Sequence, residues 1–159
     1  MMQVKEMSVS AAAMTQLPNA NYFDAFAGQL PRVESALQVA RLVLERPFPL
    51  LRWLLALRNL IVKPFGLVTS SKDAPNHARF IGMFPILSAS ARVLVLGLDD
   101  RHLDFRLVVE IPEDQPQGTV IATTLVQTHG IWGKIYLAIV KPFHRWLVPQ
   151  LIKRASARG

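Results

Sequence analysis

The amino-acid sequence predicts an α+β domain, and the spacing of its apolar residues carries most of that prediction. They recur at helical intervals from Arg32 to Val62, switch to a period of two between about Gly82 and Thr128, and return to helical spacing from Gly130. The segments joining the period-two runs are short, which makes them an antiparallel meander. A strand, then helices, then a sheet, then a long C-terminal helix is an order that places helices on one side of a curved sheet.

The elements follow in chain order. Residues 1–18 are mostly small or polar and are expected to form a flexible N-terminal tail, with one domain over residues 19–159. Within the tail Glu6 follows Lys5 at once and only Ala11–Met14 is apolar, so no cleavable signal is expected. ANYFDAFAGQLP (Ala20–Pro31) alternates in part and predicts a first strand. Val33, Leu37, Ala40 and Leu44 then share a helical face, which Pro47 and Pro49 terminate. In LLRWLLALRNLIV (Leu50–Val62) a stripe of Leu50, Leu54, Leu57 and Ile61 is widened by Leu51, Leu55 and Leu60. That breadth predicts a helix held between neighbours, ended by Pro64 and Gly66. Val68–Arg79 reads as a polar loop.

Gly82–Ser88 contains Pro85, which restricts it to an edge strand or a bulge. Val93–Leu98, Leu103–Ile111 and Thr119–Thr128 are β-rich runs, the last two separated by the strong breakers PEDQPQG (Pro112–Gly118). Beyond Gly130 a stripe of Trp132, Tyr136, Ile139, Phe143, Trp146 and Leu147 predicts a long helix packed through that face. Lys134, Lys141 and Arg145 lie on another face, and Pro142 predicts a kink or a break. The pentapeptide IVKPF occurs at Ile61–Phe65 and again at Ile139–Phe143, but the flanks differ and no longer repeat accompanies it.

A chain of 159 residues, 51% apolar and 18% charged, suits one ordered domain with a substantial core. The absence of cysteine excludes disulfides, thiolate zinc sites and thiol nucleophiles, and fits a reducing cytoplasm, the expected location. No apolar stretch reaches the roughly 18 residues of a membrane span without a charge, Pro or Gly. The net charge of +7 is concentrated: no acid lies between Glu45 and Asp73, and after Asp114 the chain holds six Lys or Arg and no acid. Such segments suit phosphates, anionic lipid or a plain solvated face.

The densest charged motif is GLDDRHLDFRL (Gly97–Leu107), where Asp99, Asp100, His102 and Asp104 stand beside Arg101 and Arg106. An acid–base site would need one of these groups buried with a shifted pKa. The flanking β-rich arms instead make Asp99–His102 a link, where aspartates bond nearby backbone amides. Asp104 and Arg106 then leave one face of the second arm while Leu103, Phe105 and Leu107 leave the other. The motif is expected to be a hairpin first.

LGLDDRHLDFRL, followed by TTLVQTHGIWGKIYLAIVKPFHRWLV (Thr123–Val148), resembles the bacterial family known as domain of unknown function 2867. The likeness extends upstream through ANYFDAF and LLALRNLIVKPFGL (Leu54–Leu67), so it covers most of the chain from about Ala20. Similar domains follow a dinucleotide-binding half in some nucleoside-diphosphate-sugar epimerase-like proteins; that half is not found here, so no NAD role is implied. The resemblance implies a helix-grip fold like that of START and polyketide-cyclase proteins, in which a sheet wraps a long C-terminal helix around an apolar cavity. It brings no catalytic residues with it.

In such a fold Trp53, Phe84, Phe105, Trp132, Tyr136 and Phe143 are the expected wall of a ligand pocket, with Arg106 or His129 at its polar end. A pocket of roughly 300–1,000 Å³ holds a small apolar ligand; the same rings also suit a solid core. The leading expectation is a module binding a hydrophobic small molecule, with no cofactor and no metal. There is no Gly-rich phosphate loop and no nucleophile-elbow serine, and His77, His102, His129 and His144 are scattered, His144 being read as a helix-surface or satisfied histidine rather than a ligand. An enzymatic alternative, a cyclase, hydratase or hydrolase, would draw on Asp104, His102 and His129. A third class is association with an anionic membrane surface or a protein through Lys134, Lys141, Arg145, Lys153 and Arg154. No nucleic-acid partner is expected, since no basic strand platform interleaved with aromatics is present.

Overall fold

A computed structural model describes residues 2–45, 79–82 and 84–158, with 49, 52, 53, 56, 57 and 60 as isolated helical positions. The helix expected over Leu50–Val62 and the loop expected from Val68 fall mostly outside the described residues.

The period-two runs form the strands of one antiparallel sheet: β1 (Lys5–Met7), β2 (Tyr22–Gln29), β3 (Phe80–Ile81), β4 (Phe84–Ala89), β5 (Val93–Asp99), β6 (Leu103–Glu110) and β7 (Thr119–Thr128). Their order is β1-β2-β7-β6-β5-β4-β3. From β3 to β7 each strand pairs with its chain neighbour, so short turns suffice to bring them together. Among the described residues only the pairing of β2 with β7, from Tyr22↔Val126 to Gln29↔Thr119, joins parts of the sheet distant in sequence. The charged motif is the β5–β6 hairpin: Asp99 pairs with Asp104, and the Asp100 amide donates to the Leu103 carbonyl at 3.0 Å. Pro85 lies in β4, whose register with β5 shifts between Ile86 and Ser88, a bulge that bends the strand. Gly118, at φ +88°, closes the β6–β7 turn; a Cβ there would stand 2.5 Å from the Leu30 carbonyl oxygen.

Side-chain alternation gives the sheet two apolar faces. On one, Leu94, Leu96, Val109 and Val120 pack with Ala36, Val39 and Ala40 of helix α2 (Ala36–Leu44), whose N-cap Ser35 accepts from the Gln38 amide. On the other, Val95, Val108 and Leu125 pack under Ala13 and Leu17. Ala13 belongs to α1 (Ala11–Met14), capped by Ser10, whose hydroxyl accepts from the Ala13 amide at 3.0 Å and donates to Glu110. Residues 1–18 thus carry β1 and α1, against the tail expected of them. Their small residues are what let a short helix lie close over a sheet face that would otherwise expose Val95, Val108 and Leu125.

The period-3.6 pattern after Gly130 is one helix, α3 (Gly130–Ser156), about 40 Å long and continuous through Pro142 and Pro149. The break allowed for at Pro142 is not seen. The helix lies on the same sheet face as α2, and glycines at both of its ends allow close approach. A Cβ on Gly133 would stand 2.1 Å from the His102 carbonyl oxygen, and one on Gly28 of β2 would stand 2.5 Å from Ile152 Cγ2. The result is a curved sheet holding a long C-terminal helix, a helix-grip-like α+β arrangement. The packed stripe of α3 runs through Gly133, Val140, Leu147, Leu151 and Ala155, one column away from the predicted one. Trp132, Ile139, Phe143 and Trp146 face outward. Both sides of this helix are apolar, so its periodicity alone does not choose between them.

Candidate functional site

Held near both ends by close contacts, α3 stands off the sheet in between. The space is a cavity of about 200 Å³ bounded by the sheet, α2 and α3. Strand β6 contributes Leu103, Phe105 and Leu107, because these share the face opposite Asp104 and Arg106. Phe84 of β4 packs its ring 5.5 Å from that of Phe105, and Tyr136, Val140 and Leu147 of α3 close the roof.

One stretch of wall is polar. Tyr22, Asp24, Phe26 and Gly28 share a face of β2, and Thr124 stands directly opposite Asp24 on β7. Tyr22, Thr124 and His144 line the cavity, and the Asp24 carboxylate lies behind them with its side chain 1% exposed. The Tyr22 hydroxyl donates to Asp24 Oδ2, and His144 Nε2 lies 3.3 Å from Oδ2 and 3.4 Å from Oδ1. Burial, then the hydrogen bond to Asp24 and its negative charge, push the Tyr22 phenol well above its ordinary pKa, so it stays protonated. The Lys141 ammonium sits 5.3 Å from the centre of the Tyr22 ring, within cation–π range. Thr124 is 3% exposed, and its Oγ1 has no hydrogen-bond partner.

The residues singled out from the sequence divide into two sets. Phe84, Phe105 and Tyr136 line the cavity together. Trp132 and Phe143, 43% and 40% exposed, lie on the outer side of α3, and Trp53 stands edge-on to Phe143 at 5.5 Å. Arg106 leaves the opposite face of β6 and pairs with Asp99 at 2.5 Å. His129, at the start of α3, bonds Asp104 at 2.9 Å, likewise away from the cavity. His144, read as a helix-surface or satisfied histidine, is bonded to Asp24 and forms part of the wall. Two signals for the polar wall were present: an aspartate inside the apolar alternation of YFDAFAG, and a histidine at the helical spacing of Val140, Leu147 and Leu151. Among the described residues no group of three or more His, Asp or Glu could hold a metal ion. No described helix is long and apolar enough to cross a membrane.

A curved antiparallel sheet, a long helix gripped across it and a mostly apolar chamber between them define the class: an α+β domain of helix-grip-like build. The chain belongs to the family described as protein of unknown function (DUF2867), whose model matches residues 16–151. No curated protein and no solved structure matches it.

Proposed function

We propose that this protein binds a small, largely apolar molecule in the cavity between the sheet and α3. The observation that carries the reading is the space itself: about 200 Å³ lined chiefly by aliphatic and aromatic side chains, in a domain that closes its other sheet face with packed Ala13 and Leu17. Leaving an apolar recess of this size unfilled forfeits contacts along its lining, which a bound apolar molecule restores. A cavity of about 150 Å³ holds benzene, so this one suits a single ring with a small substituent or a chain of similar bulk. Native mass spectrometry of the protein incubated with an apolar metabolite extract tests the reading: a retained mass is expected, and protein that returns bare, with no compound of this size raising its melting temperature, overturns it.

A second reading rests on the outer side of α3. At about 100° per residue, Ile131, Ile135, Ile139 and Trp146 form an exposed apolar stripe, and Lys134, Lys141 and Arg145 line one flank of it. Apolar and indole groups bordered by cations suit an anionic lipid surface. Flotation with vesicles containing phosphatidylserine, absent with neutral vesicles, is the expected result; equal behaviour in both removes the reading.

A further inference from the structure

We propose that α3 seats in the headgroup layer of an anionic bilayer and enters no deeper, because Pro142 and Pro149 leave two backbone carbonyls open on the face that meets the lipid. The inference rests on the membrane-surface reading of that face and names the layer of the membrane it fits.

Neither proline belongs to the core or to the cavity wall. At about 100° per residue, both lie within about 40° of the direction of Ile131 and Ile135, inside the exposed apolar stripe. Pro142 is exposed and Pro149 half-buried. A proline has no amide hydrogen, so the carbonyls four residues earlier, those of Ala138 and Arg145, lose their intrahelical donors. Ala138 and Arg145 are themselves exposed, which puts both carbonyls on the outer side.

These carbonyls decide between coverings. In hydrocarbon, or in the dry groove of a protein, each would be an unpaired polar group, which an apolar environment penalises heavily. The headgroup layer pairs them with water and lipid ammonium groups, while the isoleucines and the Trp146 indole reach the boundary of the acyl chains, the depth that indoles favour. Charge favours the same partner. The helix carries Lys134, Lys141, Arg145, Lys153 and Arg154 and no acid, and Glu6 of β1 is bonded to Arg145 at 2.7 Å. Lys134 and Lys141 are exposed beside the stripe, so this side stays cationic and is drawn to anionic lipid. Two copies of it face to face would set like charges together.

The test uses the full-length protein carrying Trp53→Phe and Trp132→Phe, so that Trp146 reports alone. It is mixed with phosphatidylserine–phosphatidylcholine vesicles whose acyl chains carry bromine, a fluorescence quencher, either near the glycerol or near the bilayer centre. Flotation is expected, with Trp146 quenched more strongly by the shallow bromines. In the same background Pro142→Ala with Pro149→Ala restores both donors and moves the strongest quenching inward. Its melting temperature at or above that of the parent establishes that it is folded, since alanine is the better helix former. If the vesicles float the protein but the deep bromines quench more strongly, or the alanine variant is quenched at unchanged depth, this inference falls and the membrane-surface reading stands. If the protein does not float, or floats equally with neutral vesicles, both fall. A dimer in sedimentation velocity that Trp146→Ser dissolves also overturns both, since the face would then belong to a second copy.

Discussion

Two histidine–aspartate contacts in this molecule have opposite settings. His129 and Asp104 are 2.9 Å apart at the β5–β6 end of the sheet, with side chains 40% and 22% exposed. His144 and Asp24 are 3.3 Å apart, with 20% and 1% exposed. The shorter contact is the wetter one. An exposed ion pair trades hydration for little, whereas a carboxylate withdrawn from water depends on every donor it has. Separation and burial therefore rank the two pairs in opposite orders, and the physical argument favours burial.

The largest expected effect breaks the buried pair. Asp24→Ala removes the acceptor shared by the Tyr22 hydroxyl and the His144 ring, leaving both in a wall with few alternatives. A buried donor left without its acceptor costs about 1–3 kcal/mol, and with two donors stranded urea unfolding should show a loss of about 2 kcal/mol or more. A loss under about 1 kcal/mol would make Asp24 equivalent to Asp104 and abolish the distinction.

Next comes a change that separates backbone from side chain at the wetter end. There the His129 amide donates to the His102 carbonyl at 2.7 Å, and α3 passes so near that a Cβ on Gly133 would stand 2.1 Å from the same oxygen. In a free helix Gly→Ala gains about 1 kcal/mol. Here the added methyl must push the helix off the hairpin, and Gly133→Ala should destabilise by about 1–3 kcal/mol, as overpacking does. A raised melting temperature would mean that helix and hairpin are not in this contact.

Tyr22 offers a pH test of the buried pair alone. Its phenol is held above the ordinary value of 10.0 in the folded chain, so folding favours the protonated form. That contribution is fully present below pH 10 and is lost as pH climbs from 10 towards the higher folded value. Absorbance titration should show one of the two tyrosines ionising late. Tyr22→Phe should cost about 1–2 kcal/mol at neutral pH through the lost hydrogen bond to Asp24, and should flatten the alkaline decline. Equal alkaline slopes in the two proteins would contradict the assignment.

The same contrast explains what could be read in the sequence. The sheet was legible from Val93 to Thr128 because alternation is a local signal, and a slip of one residue would have turned Phe105 and Leu107 to the other face. Asp99 to Asp104 could be recognised as a hairpin for the same reason: its arms flank it. The polar wall has no such local signature. Asp24 and His144 are 120 residues apart, and only the pairing of β2 with β7 and the seating of α3 bring them together. Which side of α3 is buried was not legible either, because Trp132 and Phe143 compete with Val140 and Leu147 on hydrophobicity alone. Gly133, whose missing side chain admits the His102 carbonyl, points to the buried side.

The smallest effect belongs to the group that first draws the eye. Asp104→Ala removes the contact to His129, while Arg106 keeps Asp99 and the turn keeps its Asp100 to Leu103 backbone bond. The expected loss is about 0–1 kcal/mol, the range of solvent-exposed pairs. Ligand affinity should not move, because Asp104 leaves the face of β6 opposite the Phe105 that lines the cavity. A change of more than about threefold in the Kd of any cavity ligand, a shift beyond about 0.6 kcal/mol, would mean that the charged hairpin communicates with the cavity, and the two histidine–aspartate pairs would then have to be treated as one system.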